Sequence, residues 1–401
     1  MIELLAPAGN MQKLKAAINF GADAVYFAGK NYGLRAFAGN FNDNEIKEAC
    51  DYAHSFNKKV YITLNILARD KDFENLKEYL DFLVECKVDG VIVSDLGLIY
   101  YIHENAPKLN IHVSTQANVL NSYTIKFLEN LSVTRIVLAR ELSLEEIKVL
   151  RSKINPKIEL EAFVHGAMCI SYSGRCLLSN YLCNRDSNRG ECVQACRWEY
   201  TITEKSRKGR EYEIQEDDRG TYILNSKDLN MIKHIKELEE AGITSLKIEG
   251  RMKSEYYVAN VVNAYRRAID NKNLTNEELE ILNKELEKTS HRKYTTGFYF
   301  NSTDKECLES SMPVQTHEFM AIVIEDTNND LTLIEQRNRF VVGDTLEILS
   351  PKENFNKNFI LEKMYNEKME EITDAKNVQQ KLYIKCPFKL YKGDILRKEV
   401  K

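Results

Sequence analysis

The chain has 401 residues, room for one large domain plus a smaller one, and its 43% hydrophobic and 29% charged content is that of a water-facing globular protein. Lys and Arg number 56 against 60 Asp and Glu, a net charge of −4, which excludes a generally basic coat for nucleic acid but leaves room for a local basic groove. The opening Met1-Ile2-Glu3-Leu4-Leu5-Ala6-Pro7 carries an acid early, and no apolar run nears the roughly 18 residues of a membrane span, so a cytoplasmic protein without a membrane partner is expected.

Up to about residue 165 one rhythm repeats: short β-branched runs alternate with amphipathic stretches, as in βα units. The expected strands are Ile2–Ala6, Ala24–Ala28, Val60–Asn65, Gly90–Ser94, Ile111–Ser114, Arg135–Ala139 and Ile158–Val164. Helices are expected over Asn44–Phe56, Phe73–Cys86 and Ser143–Lys153, the last started by a capping box of Ser143 and Glu146. After a cysteine-rich stretch the rhythm resumes with Tyr222–Leu224, the helix Met231–Ala241, the strand Thr244–Ile248 and a longer helix, Ser254–Asp270. Seven strands before the cysteines and Thr244–Ile248 after them make eight, which points to an α/β fold, a TIM-like (β/α)8 barrel with a cysteine-rich insertion. Residues 1–270 are expected to form this barrel, with the cysteine-rich segment at 165–200, and 271–314 a helical connector built on Asn276–Lys288. From 315 to 401 the texture turns to short strands, Phe319–Ile324, Leu331–Gln336, Thr345–Leu349, Ile360–Tyr365 and Leu382–Cys386, expected to make a small β-barrel domain.

In an eight-stranded α/β barrel the chemistry sits where strands end. Those ends carry Asn65, Ser94-Asp95, Ser114-Thr115-Gln116, Arg140-Glu141, His165-Gly166 and Glu249-Gly250-Arg251; the long loop Gly29–Phe41 adds Arg35. Directly after the seventh strand come Cys169, Cys176, Cys183, Cys192 and Cys196, five of the nine cysteines of the chain. Clustered thiols in a reducing compartment point to a metal or to redox chemistry. The wide gaps and the place at the catalytic end favour an iron–sulfur cluster; a zinc site and a set of free buried thiols are the alternatives. Cys50, Cys86, Cys307 and Cys386 stand alone and read as core residues. Around the window, Arg185, Arg189, Arg197, Lys205, Arg207, Lys208 and Arg210 offer a local basic patch, with Trp198 and Tyr200 as stacking surfaces for RNA. No H-E-x-x-H, no G-x-S-x-G and no phosphate-binding loop occurs, and Glu199 stands where a radical S-adenosylmethionine motif begun at Cys192 would need cysteine.

The stretch Glu161-Ala162-Phe163-Val164-His165-Gly166-Ala167-Met168-Cys169, continuing through Gly174-Arg175-Cys176-Leu177-Leu178-Ser179, resembles the signature of the collagenase-like peptidases of unknown catalytic type, peptidase family U32. Leu5-Ala6-Pro7-Ala8-Gly9, Ser114-Thr115-Gln116, Lys247-Ile248-Glu249-Gly250-Arg251 and Thr296-Gly297-Phe298-Tyr299 agree with it. The resemblance implies either a peptidase or a hydroxylase that acts without oxygen. With its C-terminal β domain the chain is most similar to the members that hydroxylate tRNA, forming 5-hydroxyuridine at the wobble position with prephenate. Carried over, it implies a 4Fe-4S cluster on Cys169, Cys176, Cys192 and Cys196, with Cys183 outside the pattern. Prephenate has two carboxylates, for which Arg35, Arg140 and Arg251 are candidates, and His165 with Glu249 are candidates for proton transfer. Partners are then tRNA, prephenate and a paralogous family member. The rival readings are a peptidase using Ser173 or a Cys169–His165 pair, and a non-catalytic subunit of a paired RNA-modifying complex.

Overall fold

The computed structural model describes residues 2–30, 32–33, 40–169, 171–198, 216–217, 220–221, 226–300 and 314–400, with the backbone alone for Arg197, 216–217 and 220–221. Eight parallel strands form a closed barrel: β1 (Glu3–Pro7), β2 (Ala24–Phe27), β3 (Lys59–Leu64), β4 (Gly90–Val93), β5 (Ile111–Val113), β6 (Val133–Val137), β7 (Glu159–Ala167) and β8 (Ser245–Ile248). They pair in chain order, and β8 pairs with both β7 and β1, which closes the ring. Helices run between them: α1 (Met11–Asn19), α2 (Asp43–Ser55), α3 (Leu76–Glu85), α4 (Leu96–Asn105), α5 (Ser122–Glu129) and α6 (Leu144–Arg151), with α7 (Leu178–Cys183) and α8 (Ile235–Glu240) between β7 and β8. Strands covered on both faces read as continuous apolar runs, as in Gly90–Val93, where all four residues are buried. All eight expected barrel strands form; Tyr222–Leu224 lies outside the described residues. The capping box of Ser143 and Glu146 starts α6 as expected, and Asn42 with Glu45 makes another at α2.

The chain divides into two compact units, one of Met1–Leu14, Ala22–Lys253 and His291–Pro313, the other of Lys15–Gly21, Ser254–Ser290 and Val314–Lys401. In the first, β7 outruns the barrel: His165, Gly166 and Ala167 pair antiparallel with Asp228–Asn230, which in turn pairs with Tyr294–Thr295. Gly166 marks the departure. Its φ is +103°, and a Cβ there would stand 2.6 Å from the Glu249 carbonyl oxygen, so only glycine lets β7 leave beside the end of β8.

The second unit holds α9 (Glu255–Asp270), α10 (Asn276–Leu286), a two-stranded ladder of Phe340–Val341 with Asp374–Ala375, and a sheet of eight strands. These are β9 (His317–Val323), β10 (Leu331–Gln336), β11 (Thr345–Leu349), β12 (Asn358–Ile360), β13 (Met364–Asn366), β14 (Glu371–Ile372), β15 (Lys381–Lys385) and β16 (Ile395–Glu399). Their order, β12-β11-β16-β9-β10-β15-β13-β14, is antiparallel throughout and forms a half-barrel around Met320, Ile334, Leu346, Phe359 and Leu396. The single strand expected over Ile360–Tyr365 is two, β12 and β13, broken at Leu361–Lys363, and β16 was not expected at all. Among the described residues no helix is long and apolar enough to cross a membrane.

Candidate active site at the barrel mouth

A cavity of about 340 Å³ lies at the carboxyl ends of the barrel strands. Its wall takes in Asn65, Ser114, Thr115, Gln116, Arg140, Glu141, Glu249 and Arg251 from the strand ends, and Cys169, Cys176, Cys192 and Cys196 from the insertion. Cys183, on α7 (Leu178–Cys183), does not line it. Neither do Ser94 and Asp95, whose duties are local: the Ser94 hydroxyl donates to the Asn65 carbonyl at 3.2 Å, and the Asp95 carboxylate caps α4 by accepting the Leu98 N–H. Arg35, Tyr200, Lys205, Arg207, Lys208, Arg210 and Cys307 lie outside the described residues.

The insertion is held over the mouth by several βα loops. Gly174 packs on the loop after β5; its φ is +72°, and a Cβ there would fall 1.9 Å from the Gln116 carbonyl oxygen. Beside it, the Ser173 N–H donates to the Glu141 carboxylate at 2.8 Å, and the Asn118 amide donates to the Ser173 carbonyl at 3.0 Å. Arg189 forks onto Asp72, after β3, at 2.9 and 3.1 Å, a bidentate pair that holds the Asp72 carboxyl below its ordinary range. Within the insertion, Ser187 and Asn188 donate to the Cys176 carbonyl, and the buried Ser179 hydroxyl reaches the Cys192 sulfur at 3.9 Å. These contacts turn thiols distant in sequence toward one space.

The wall is cationic where it meets the barrel interior. Arg140 stacks on the Phe163 ring at 4.0 Å and donates one N–H to the Ala167 carbonyl, while its buried Nε has no protein partner. Lys247 also lines the cavity; its ammonium lies 4.6 Å from the Tyr26 ring centroid and 2.7 Å from the Glu161 carboxylate. Burial alone would raise the Glu161 carboxyl, but Lys247 and Arg135 outweigh it and hold it at about 2. Arg135 extends this buried chain of charge down the barrel to Glu3, at 2.6 Å, and to Glu161, at 3.0 Å. Arg251 is buried, donates to the Asn40 side chain at 2.7 Å, and presents its carbonyl to the Lys13 ammonium. Lys247 and Phe163 fall within the family-like segments but, like Tyr26, were not among the candidate site residues; the signal available was a lysine inside an otherwise apolar strand.

His165 faces elsewhere. Its ring packs against Tyr294, with centroids 5.5 Å apart, and it does not line the cavity; the Glu249 N–H donates to the His165 carbonyl at 2.9 Å. Burial first, then the nearby His291 and Lys253, push the imidazole down to about 3. It is neutral at pH 7. The unfolded chain takes up this proton near pH 6.5 and the folded one only near 3, so His165 withdraws stability as pH falls through that window. Against a His165→Asn variant, wild-type stability in urea titrations should drop by about 1.4 kcal/mol per pH unit below 6.5. A difference independent of pH would show that the ring is not held neutral.

As a ligand set, the four thiols suit a thiophilic group, with no disulfide joining them. Among the described residues no three His, Cys, Asp or Glu side chains gather closely enough to hold one metal ion. Cys50, Cys86 and Cys386 are core residues; burial pushes Cys50 up to about 12 and Cys386 to about 11.

Comparison with known proteins gives a consistent picture. The model of peptidase family U32 matches residues 9–309, and that of the peptidase family U32 C-terminal domain matches 315–397. A tRNA hydroxylation protein P1 of Bacillus subtilis is 39% identical, covering 99% of this chain and 94% of its own. A tRNA hydroxylation protein P of Escherichia coli is 38% identical over 92% of this chain and 90% of its own. An uncharacterized protease of Methanocaldococcus jannaschii is 44% identical over 76% of this chain and 74% of its own.

Proposed function

The chain belongs to peptidase family U32, and from that premise we propose that it is a cytoplasmic tRNA-modifying enzyme that hydroxylates the wobble uridine to 5-hydroxyuridine without oxygen. Prephenate is the co-substrate in this reading and an iron–sulfur cluster the cofactor. The observation that carries it is the meeting of four cysteines and several cations in one cavity at the mouth of the barrel. The names of the B. subtilis and E. coli relatives, similar along nearly their whole length, support the same class of reaction.

Cys169, Cys176, Cys192 and Cys196 would hold the cluster, which when bound supplies one-electron chemistry that no side chain here offers. The chain's own residues select and orient. Arg140, with an unpartnered buried N–H, is placed to fork onto a carboxylate, and Lys247 adds a second positive charge on the same wall. Glu249 offers a carboxylate at the cavity as a proton acceptor. His165, neutral and turned away, does not fit the proton-transfer role that its sequence position suggests.

Proteolysis fits less well. Ser173 lines the cavity, but its hydroxyl lies against the Glu141 carboxylate at 3.1 Å, and the described residues of the wall include no histidine to act as its base. The test is anaerobic reconstitution with iron and sulfide, then mass spectrometry of tRNA incubated with prephenate. Arg140→Ala should raise KM for prephenate about 10- to 100-fold, the scale of one lost charge-assisted pair. An unchanged KM removes Arg140 from the site. No hydroxylated uridine from the loaded protein, with peptide hydrolysis persisting after metal is stripped, would put the peptidase reading first.

A further inference from the structure

We propose that the cysteine-bearing segment also presents a stacking surface for unpaired RNA bases beside the cavity, an inference that rests on the RNA-modifying function above. Between Cys169 and Trp198 the chain has three aromatic residues, and all are exposed: Tyr172 by 59%, Tyr181 by 84% and Trp198, the only tryptophan of the protein, by 42%. Leu177, one helical turn before Tyr181 and bonded to it through the backbone, is 66% exposed. Exposed apolar side chains gathered on one short segment, unlike single ones scattered over a surface, mark a place for a partner.

Three observations choose the partner. Tyr172 belongs to the cavity wall while remaining exposed, which puts one of the three rings at the site where a base would react. The segment's charge is opposite in sign to that of the chain: four arginines face two acids, within a protein of net charge −4. Asp186 accepts the Asn188 N–H and Glu191 the Asp186 N–H, and Arg189 is taken up by Asp72, so three arginines remain against these two acids. Exposed rings on a cationic segment suit a strand whose bases are free to stack and whose backbone is anionic. A double helix offers no base faces and gains nothing from these rings. An enzyme that must reach one base of a loop needs its neighbours held out of the way.

The test uses the full-length protein, a fluorescently labelled RNA hairpin with an unpaired loop, and a blunt RNA duplex. Tyr172→Ala and Tyr181→Ala should each weaken hairpin binding about tenfold, within the range for loss of one stacked base, and Tyr181→Phe should restore it. Duplex binding, weaker in the wild type, should not change. Hairpin affinity within about twofold of wild type in the double alanine variant would overturn the proposal and leave the rings to a protein partner; equal wild-type affinity for duplex and hairpin would overturn it too. Hydroxylation is followed in parallel. A hairpin bound through these rings but never hydroxylated refutes the function and spares the surface. Hydroxylation with unchanged KM for tRNA in the variants refutes the surface and spares the function.

Discussion

Replacing Cys192 by alanine should strip iron and sulfide from the protein together and lower tRNA hydroxylation on the order of 100-fold or more, beyond the 10- to 100-fold that outer contacts of a metal site command. Cys169→Ala, Cys176→Ala and Cys196→Ala should behave alike, because all four cysteines line one cavity. Cys183→Ala is the control within the same segment. Its side chain does not reach the wall, and iron content and turnover should stay within about twofold of wild type. The contrast separates ligation from general disturbance of the insertion, since Cys183 sits on α7 between two of the presumed ligands. Iron and sulfide assays after anaerobic reconstitution, beside the visible spectrum, read it directly. Iron retained in Cys192→Ala, or lost in Cys183→Ala, would assign the ligands wrongly. Zinc bound with full occupancy and no sulfide would remove the redox chemistry altogether.

The second large effect lies in the other compact unit. Arg397 is fully buried in the second unit, donating to Glu347 at 2.7 Å and Asn260 at 2.8 Å and pairing with Glu285 at 2.5 Å. Glu285 is itself buried and is shared with Lys288 at 2.9 Å. Burial would raise the Glu285 carboxyl, but Arg397 and Lys288 outweigh it and hold it below its ordinary value of 4.5. Its stabilising contribution is therefore present above about pH 4.5 and is lost as the pH falls through the lower folded value. Glu285→Ala leaves the guanidinium buried with part of its charge unanswered, which should destabilise this unit by about 3–5 kcal/mol. Hydrogen exchange of the β16 amides under mild urea measures the loss where it occurs. A change under about 1 kcal/mol would mean that water or Glu347 compensates fully. An Arg397→Met, Glu285→Leu pair, free of charge, should recover much of the loss.

That arginine also shows why β16 was illegible. Ile395–Glu399 reads Ile-Leu-Arg-Lys-Glu, and three charges in five residues look like a solvated tail when a buried ion network cannot be foreseen. The barrel strands were legible for the opposite reason: covered by helices outside and packed inside, they show continuous apolar runs that no other element of that length needs. Asp228–Asn230 was missed because Asp and Asn are turn formers, and their pairing with β7 depends on Gly166 turning that strand aside. At the site, the strand-end rule located most of the polar wall but also nominated Asp95, a helix cap, and His165, which points to Tyr294. Lys247 and Phe163 stayed hidden because strands buried on both faces carry no alternation to reveal which side chains look inward. Clustering exposed the cysteines, the family resemblance set Cys183 apart from the other four, and the folded loops likewise leave it off the cavity wall.

The buried ions of the barrel impose an order on its making. Glu3 arrives on the first strand, Arg135 on the sixth and Glu161 on the seventh, whereas Lys247 comes from the strand that closes the ring, beyond the whole cysteine-bearing insertion. A nascent chain leaving the ribosome thus carries most of this charge well before the last strand emerges. β8 pairs with both β1 and β7 and brings Lys247 to Glu161. Sealing the ring and completing its buried ion chain thus fall to one strand: a chain without β8 would leave β1 and β7 each short of a neighbour, and Glu161 with Arg135 but not Lys247 beside it.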